Sequence, residues 1–309
     1  MCTTIAENID GGLIFGRNMD IDGGFDEKIV ITPRNYKITY KRHRTSTDHY
    51  AIIGTAAVMD SYPLYADGMN EKGLCMAGLN FVGNAYYNGY YSNDTDIAPY
   101  ELISLILSEC ADIREAVGLL KCVNLINVPF KDTIPLPRLH FHIADKERSI
   151  VYESTRDGRH IYENDSGVLA NSPAFPHHIA NLKQYKNLKN HTLPDTFSDE
   201  TPYSLGMGAI GMPGDYTSMS RFVRASFIKE HSEGEQSISH MMHMLDTVAV
   251  PRGAVLTTSG SCHYTRYQCC MSTRELTYSI RTYDSIAVSN FSLSDADLDA
   301  YELIEADIK

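Results

Sequence analysis

No stretch of the 309 residues approaches the roughly eighteen consecutive apolar residues of a membrane-spanning helix. The first part of the chain also lacks a basic region followed by an apolar run and a cleavage site, so neither a membrane protein nor an exported one is expected. A soluble, cytoplasmic protein is the reading that remains. Positive charge is scarce: 27 Lys and Arg against 39 Asp and Glu give a net charge of −12. Phosphate recognition needs clustered cations, so nucleic acid and anionic membrane surfaces are excluded as partners. The one dense basic stretch, "YKRHR" at residues 40–44, reads as a solvated strand end or loop. An anionic substrate would have to be handled by a few local arginines.

The seven cysteines, an odd number, contain no CxxC pair, which argues against both a disulfide framework and a zinc site. They read as reduced thiols. Repeats, low-complexity segments and Pro/Gly/Ser-rich linkers are missing too, so one domain over residues 1–309 is expected. With 43% hydrophobic and 21% charged residues, the chain has the composition of an ordinary globular protein.

What is present falls into blocks. "GGLIFGRNMD", "KIVITPRNYKITY", "YAIIGTAAV" and "GLCMAGLNFVG" read as strands from their alternating or continuous apolar runs. "ELISLILSEC" after a proline and "DIREAVGLLKC" after an Asp cap read as helices. Strands return in "RLHFHIAD", "SIVYEST", "HIYEND" and "GVLANS". "SMSRFVRASFIKEH" and "SISHMMHMLDTV" then read as amphipathic helices with serine caps, "YTRYQCCMS" and "ELTYSIRTY" as a hairpin, and "SDADLDAYELI" as a short helix. Strand and helix blocks are segregated, which points to α+β layers.

The second residue is a cysteine. Initiator methionine is trimmed before a small residue, and Cys2 would then carry a thiol and a free α-amino group together. An amine with an ordinary pKa of about 7.7 to 8.0 can take the thiol proton near neutral pH. Alone, such a cysteine reads equally as part of a strand-forming terminus. A nearby cation would favour the thiolate, and two donors would hold the oxyanion. "FGRNMD" offers Arg17 and Asp20, which by themselves read first as a surface ion pair. Asn80 in "AGLNF" and Asn171 in "LANSP" end apolar strands, where asparagine ordinarily serves turns.

"MCT", "FGRNMD", "ITPRNY", "YPLYADGMNEKGLCMAGLNF", "GVLANSPAF" and "GMPGDYTSMSRFVRASF", in this order, resemble the choloylglycine hydrolase family of conjugated bile acid hydrolases and penicillin V acylases. The resemblance runs from Met1 to the final hairpin. It implies an N-terminal nucleophile hydrolase, a four-layer αββα sandwich of two antiparallel sheets, cleaving N-acyl amides through a thioester on Cys2 with no metal or cofactor. It further implies that Arg17 flanks the sulfur and that Asp20 holds the α-amino group. Asn171 and Asn80 would form the oxyanion hole, and Arg221 would complete the site. Met19, Phe25, Met59, Ala66, Phe130 and Ile134 fall in loops where the family lines its steroid cleft, though each alone reads as ordinary loop packing.

Asn80 favours conjugated bile salts over penicillin V, because the acylases more often carry tyrosine there. The glycine-rich residues 201–215 match a loop that contacts the conjugated amino acid, and with residues 189–200 they resemble an arm that builds homotetramers. A penicillin V or other N-acyl amide acylase is the first rival. A non-catalytic bile-salt-binding relative is the second, and the joint presence of the six site residues speaks against it. His140 with His142 and His240 with His243 lack the HExxH form of a zinc hydrolase and read as core or surface residues. Cys269 and Cys270 read as packing residues on opposite strand faces.

Overall fold

The computed structural model describes residues 1–42, 45–89, 91, 95–194, 205–233 and 236–308. It opens with a hairpin, β1 (Cys2–Ile9) and β2 (Gly12–Ile21), followed by β3 (Lys28–Thr32), β4 (Ile52–Met59), β5 (Tyr62–Asn70) and β6 (Cys75–Asn80). Helices α1 (Leu102–Glu109) and α2 (Ile113–Cys122) come next, then β7 (Leu139–Ala144), β8 (Ser149–Thr155), β9 (Gly158–Glu163) and β10 (Val168–Leu169). After α3 (Phe175–Leu182), α4 (Ser218–Glu230) and α5 (Ile238–Asp246), the chain closes with β11 (Cys262–Ser272), β12 (Thr277–Thr282), β13 (Ser289–Ser292) and β14 (Ile304–Asp307).

Two antiparallel sheets result. One has the order β10-β1-β2-β11-β12-β13, with the short strand Val255–Leu256 paired to β11; the other runs β9-β8-β7-β6-β5-β4-β3-β14. They stack face to face, as cross-sheet bonds such as Thr4 to His142 and Thr55 to Tyr278 show. Helices α4 and α5 pack on the outer face of the first sheet, and α1 with α2 closes the apolar cluster outside the second. The αββα order is the one the family resemblance implied, and it is of the α+β class expected from the segregated blocks. Strand β2 is buried along nearly its whole length because the other sheet covers one face and α5 the other. At Gly16 a Cβ would lie 2.6 Å from Met241 of α5, so only glycine lets the helix sit this close.

Three local expectations need correction. The cap of α4 is Thr217, accepting from Ser220 N–H, while Ser237 caps α5 as expected. The last segment is no helix: a 3₁₀ turn at Leu293–Asp295 leads to β14, which pairs with β3 and alternates half-buried Ile304 and Ala306 with exposed Glu305 and Asp307. Strand β5 and helix α3 were not expected at all. The predicted "GVLANS" strand is shorter than read, pairing only over Val168–Leu169 before the chain turns. His140 and His142 are fully buried core residues, and both Cys269 and Cys270 are buried.

Candidate active site

The β1–β2 hairpin places most of the site by register alone. Cys2 faces Met19 and Thr4 faces Arg17, so with side chains alternating, Cys2, Arg17 and Met19 share the face toward the second sheet. Thr3 and Asp20 take the opposite face, toward the helices. Cys2 is 2% exposed, and its Sγ lies 3.4 Å from Arg17 Nη2. The guanidinium is fixed by three oxygen acceptors, Gly78 O at 2.7 Å, Ala66 O at 2.5 Å and Asp67 Oδ2 at 2.8 Å, and its Nη2 also lies 3.4 Å from Met19 Sδ. Burial pulls Arg17 downward, but the facing Cys2, Tyr267 and Asp67 outweigh it and hold the side chain well above the usual arginine value.

On the other face, Asp20 is fully buried. Its Oδ1 accepts from Thr265 Oγ1 at 2.6 Å; its Oδ2 has no hydrogen-bond partner among the described residues, and Arg221 Nη1 is 3.9 Å away. Met1 extends the hairpin by one residue, its amino group donating to Asp20 O at 2.5 Å and its carbonyl accepting from Asp20 N–H at 2.9 Å. With Met1 in place the Cys2 nitrogen is an amide, and it donates to Asn171 Oδ1 at 2.7 Å.

Asn171 follows β10 and is clamped on all sides. Its N–H donates to Ser218 Oγ at 2.7 Å, His178 Nε2 donates to its carbonyl at 2.7 Å, and its Nδ2 donates to Asn80 O at 2.9 Å. Arg221, in the first turn of α4 and fully buried, donates to Asn171 Oδ1 at 2.8 Å, to Cys2 O at 2.6 Å and to Thr3 Oγ1. Two donors on one amide oxygen fix which end of the Asn171 side chain is oxygen. An amide nitrogen carries two hydrogens, so Nδ2 keeps one beyond its bond to Asn80. The five other residues expected from the motifs, Arg17, Asp20, Asn80, Asn171 and Arg221, thus gather around Cys2.

A cavity of about 260 Å³ opens from the thiol between the sheets. Its walls include Cys2, Arg17 and Asn80 together with Met19, Phe25, Ala66, Phe130 and Ile134, in agreement with five of the six expected lining residues. Met59 is not among them. It ends β4 opposite Tyr62, where the chain reverses through Asp60 and Ser61 at positive φ; Tyr62 packs toward Phe130 with ring centroids 6.1 Å apart, but Met59 itself is not part of the wall. Leu64 and Tyr65 line it without having been expected, because β5 was not read as a strand, and so do Tyr100, in a 3₁₀ turn before α1, and Leu139, at the start of β7. The Tyr100 and Phe130 rings meet edge to face with centroids 5.5 Å apart. Residues 195–204, which include the middle of the expected arm and the start of the glycine-rich stretch, lie outside the described residues.

Among the described residues no group of three or more His, Cys, Asp or Glu is placed to hold a metal, and no helix is long and apolar enough to cross a membrane. A thiol against a guanidinium, with amide donors beside it and an apolar cavity in front, is a device for acyl transfer. Residues 2–306 match the family described as linear amide C–N hydrolases, choloylglycine hydrolase family. The chain belongs to the choloylglycine hydrolase family.

Its relatives in that family match over nearly their whole length. A protein of Lactiplantibacillus plantarum named bile salt hydrolase/transferase is 42% identical, over 98% of this chain and 96% of its own. One of the same name from Clostridium perfringens is 35% identical, over 98% and 95%. The crystal structure of a mutant conjugated bile acid hydrolase from Clostridium perfringens superimposes with a TM-score of 0.95 at 34% identity, covering 100% of this chain and 97% of that one. A penicillin V acylase from Agrobacterium tumefaciens shares the fold, with a TM-score of 0.79 at 19% identity, over 99% and 91%. The sandwich is the N-terminal nucleophile hydrolase fold of the choloylglycine hydrolase family, as the motifs implied.

Proposed function

We propose that this chain is a bile salt hydrolase that cleaves the amide of glycine- or taurine-conjugated bile acids through a thioester on Cys2. The observation that carries the reading is the Cys2 thiol, held 3.4 Å from Arg17 in the wall of an apolar cavity. The L. plantarum relative at 42% identity, named a bile salt hydrolase/transferase, supports the substrate class.

Removal of Met1 from the single domain turns the Cys2 amide into an α-amino group. The buried Asp20 Oδ2, without a hydrogen-bond partner among the described residues, is available to that group, and so is Asn171 Oδ1. The amine takes the thiol proton as the sulfur attacks the scissile carbonyl, and Arg17 steadies the negative sulfur. Charge then develops on the carbonyl oxygen. The remaining Asn171 Nδ2 hydrogen is one donor to it. The Asn80 N–H is the second: the β6–β7 ladder continues through Phe81 N–H to Arg138 O at 2.7 Å, so Asn80 N–H points away from β7. The α-ammonium returns its proton to the departing amino acid, leaving a thioester. Water, deprotonated by the same amine, releases the bile acid and restores the thiol. Arg221 holds the Cys2 carbonyl and Asn171 in place throughout.

The apolar walls at Met19, Phe25, Ala66, Phe130 and Ile134 suit a sterol, and soft Met and Phe side chains adapt to its rigid faces. A cytoplasmic homotetramer completes the reading. Exposed Leu193, Leu205, Met207 and Ile210 on the segment likened to an arm support the assembly, which light scattering would measure. Turnover of glycocholate and taurocholate beside penicillin V tests the substrate class: faster release of glycine or taurine is expected, and cleavage of penicillin V alone would assign the chain to the acylases.

A further inference from the structure

Strand β5 carries a defect beside the thiol. Thr55 of β4 pairs with Asp67, but the next residue, Ala56, pairs with Tyr65, so Ala66 is an extra residue in β5. Such a bulge releases a carbonyl from the ladder and re-aims it. Here the carbonyl of Ala66 accepts from Arg17 Nη1 at 2.5 Å, and the side chain of the next residue, Asp67, accepts from the same nitrogen at 2.8 Å. The backbone is pinned at this point, since a Cβ on Gly54 would stand 2.1 Å from Asp67 O.

Asp67 is itself fully buried and surrounded by donors from the opposite sheet. Tyr267 OH reaches Oδ2 at 2.8 Å; Tyr278 OH and, at 3.6 Å, Cys269 Sγ reach Oδ1. Thr55 and Tyr278 share a further hydroxyl bond at 2.7 Å. Burial above all, and then the charge of Asp67, hold Tyr267, Tyr278 and Cys269 well above their ordinary values, so each stays protonated and keeps donating.

We propose that Asp67, held by Tyr267 and Tyr278 and set at the Ala66 bulge, is a positioning residue that fixes the Arg17 guanidinium at its working distance from the Cys2 thiol. A long arginine side chain has much rotamer freedom to lose, and a buried cation needs a counter-charge before the thiolate forms. Asp67 answers both needs. With Ala66 O and Gly78 O it occupies the guanidinium from behind, leaving an Nη2 hydrogen to face the sulfur. The charged and titratable groups around the thiol are the α-amino group of trimmed Cys2 itself, Arg17 and Asp20 on β2, Asp67 on β5, Tyr267 and Cys269 on β11, Tyr278 on β12 and Arg221 on α4.

The proposal rests on Cys2 being the nucleophile, and the test reads the thiol directly as well as turnover. The pH profile of Cys2 alkylation by iodoacetamide and the steady-state constants for glycocholate would be measured in Asp67→Asn and in Tyr267→Phe/Tyr278→Phe. In the second variant the carboxylate keeps its charge but loses two of its donors. Misplacing a catalytic group by an ångström costs about a hundredfold, so kcat should fall roughly that much in Asp67→Asn and about tenfold in the double variant, with KM within about threefold. Alkylation should move to higher pH in both.

Unchanged kcat and alkylation in folded variants would overturn the proposal. So would a shift to lower pH, which would make Asp67 only a counterweight to the Arg17 charge. If Asp67→Asn does not fold, the double variant and Tyr267→Phe alone carry the test. Should the wild type cleave no bile salt, the alkylation profiles still decide the role of Asp67 separately from the substrate.

Discussion

The side-chain oxygen of Asn171 accepts hydrogen bonds from two groups at once, the Cys2 nitrogen at 2.7 Å and the Arg221 guanidinium at 2.8 Å. Arg221 also reaches the carbonyl of Cys2 at 2.6 Å, so one buried cation ties the nucleophile to the asparagine beside it.

Loss of that tie should be felt in both chemistry and folding. Arg221→Gln is expected to lower kcat by about 10² to 10³, the scale of losing one oxyanion donor, because Asn171 is no longer oriented. It should also cost about 3 to 5 kcal/mol of stability, since Asp20 is left as a buried charge with its counterion removed. Steady-state kinetics and urea unfolding read the two effects. A variant with near-normal kcat would mean that Asn171 is placed by its other contacts.

The cavity should act mainly through binding. Truncating Phe130 removes apolar surface from the wall and the edge contact to Tyr100. Phe130→Ala should raise KM for glycocholate by about tenfold with kcat within about threefold, as expected for uniform binding energy of one to two kcal/mol. Met59→Ala, outside the cavity, should leave KM within about twofold. Equal effects of the two would contradict the lining described here.

Two buried histidines should make the fold acid-sensitive. Burial lowers His142 to about 3 and His178 to about 4, with contacts to Thr4, Ser149 and the Asn171 carbonyl around them. Unfolded, both take protons near the ordinary value of about 6.5. Between these limits the unfolded chain binds more protons. Their contribution is complete above about pH 6.5, falls by up to roughly 1.4 kcal/mol per pH unit for each group as pH drops, and levels off below about 3. Urea midpoints from pH 7.5 to 5 should show this slope, and His142→Gln should flatten it while lowering stability at neutral pH. An identical slope in the variant would assign acid sensitivity elsewhere.

An uncleavable residue placed before Cys2 should abolish turnover while leaving the fold intact. The nitrogen would remain an amide with nothing to accept the thiol proton, as it is with Met1 attached. Circular dichroism and glycocholate turnover check this together, and activity in the blocked chain would remove the α-amino group from the mechanism.

Cys2 and the five residues around it were legible because each sits in a string of ordinary strand and turn patterns whose order carries the family resemblance. Periodicity also located the β11–β12 hairpin and helices α1, α2, α4 and α5, though not α3. Strand β5 was hidden because Pro63, Asp67 and Gly68 interrupt its apolar alternation; Asp67 and Gly68 follow the extra residue Ala66 and make the close backbone approach to Gly54. The final strand was hidden by its brevity and its acidic residues, which face outward opposite β3. Asp67 could not be paired with Arg17 from sequence. They stand 50 positions apart on different sheets, and only stacking brings them to 2.8 Å. Met59 misled because an apolar residue at a hairpin end looks the same whether or not the hairpin leans over a cavity.

The central claim is that Cys2 performs the cleavage. The most direct measurement is release of glycine and taurine from glycocholate and taurocholate by protein whose intact mass shows the loss of Met1, beside Cys2→Ser prepared in the same way. The account predicts steady release by the first and a loss of at least about 10³-fold in the second, because serine is a far weaker nucleophile without a stronger base. Substantial turnover by correctly trimmed, folded Cys2→Ser would contradict it.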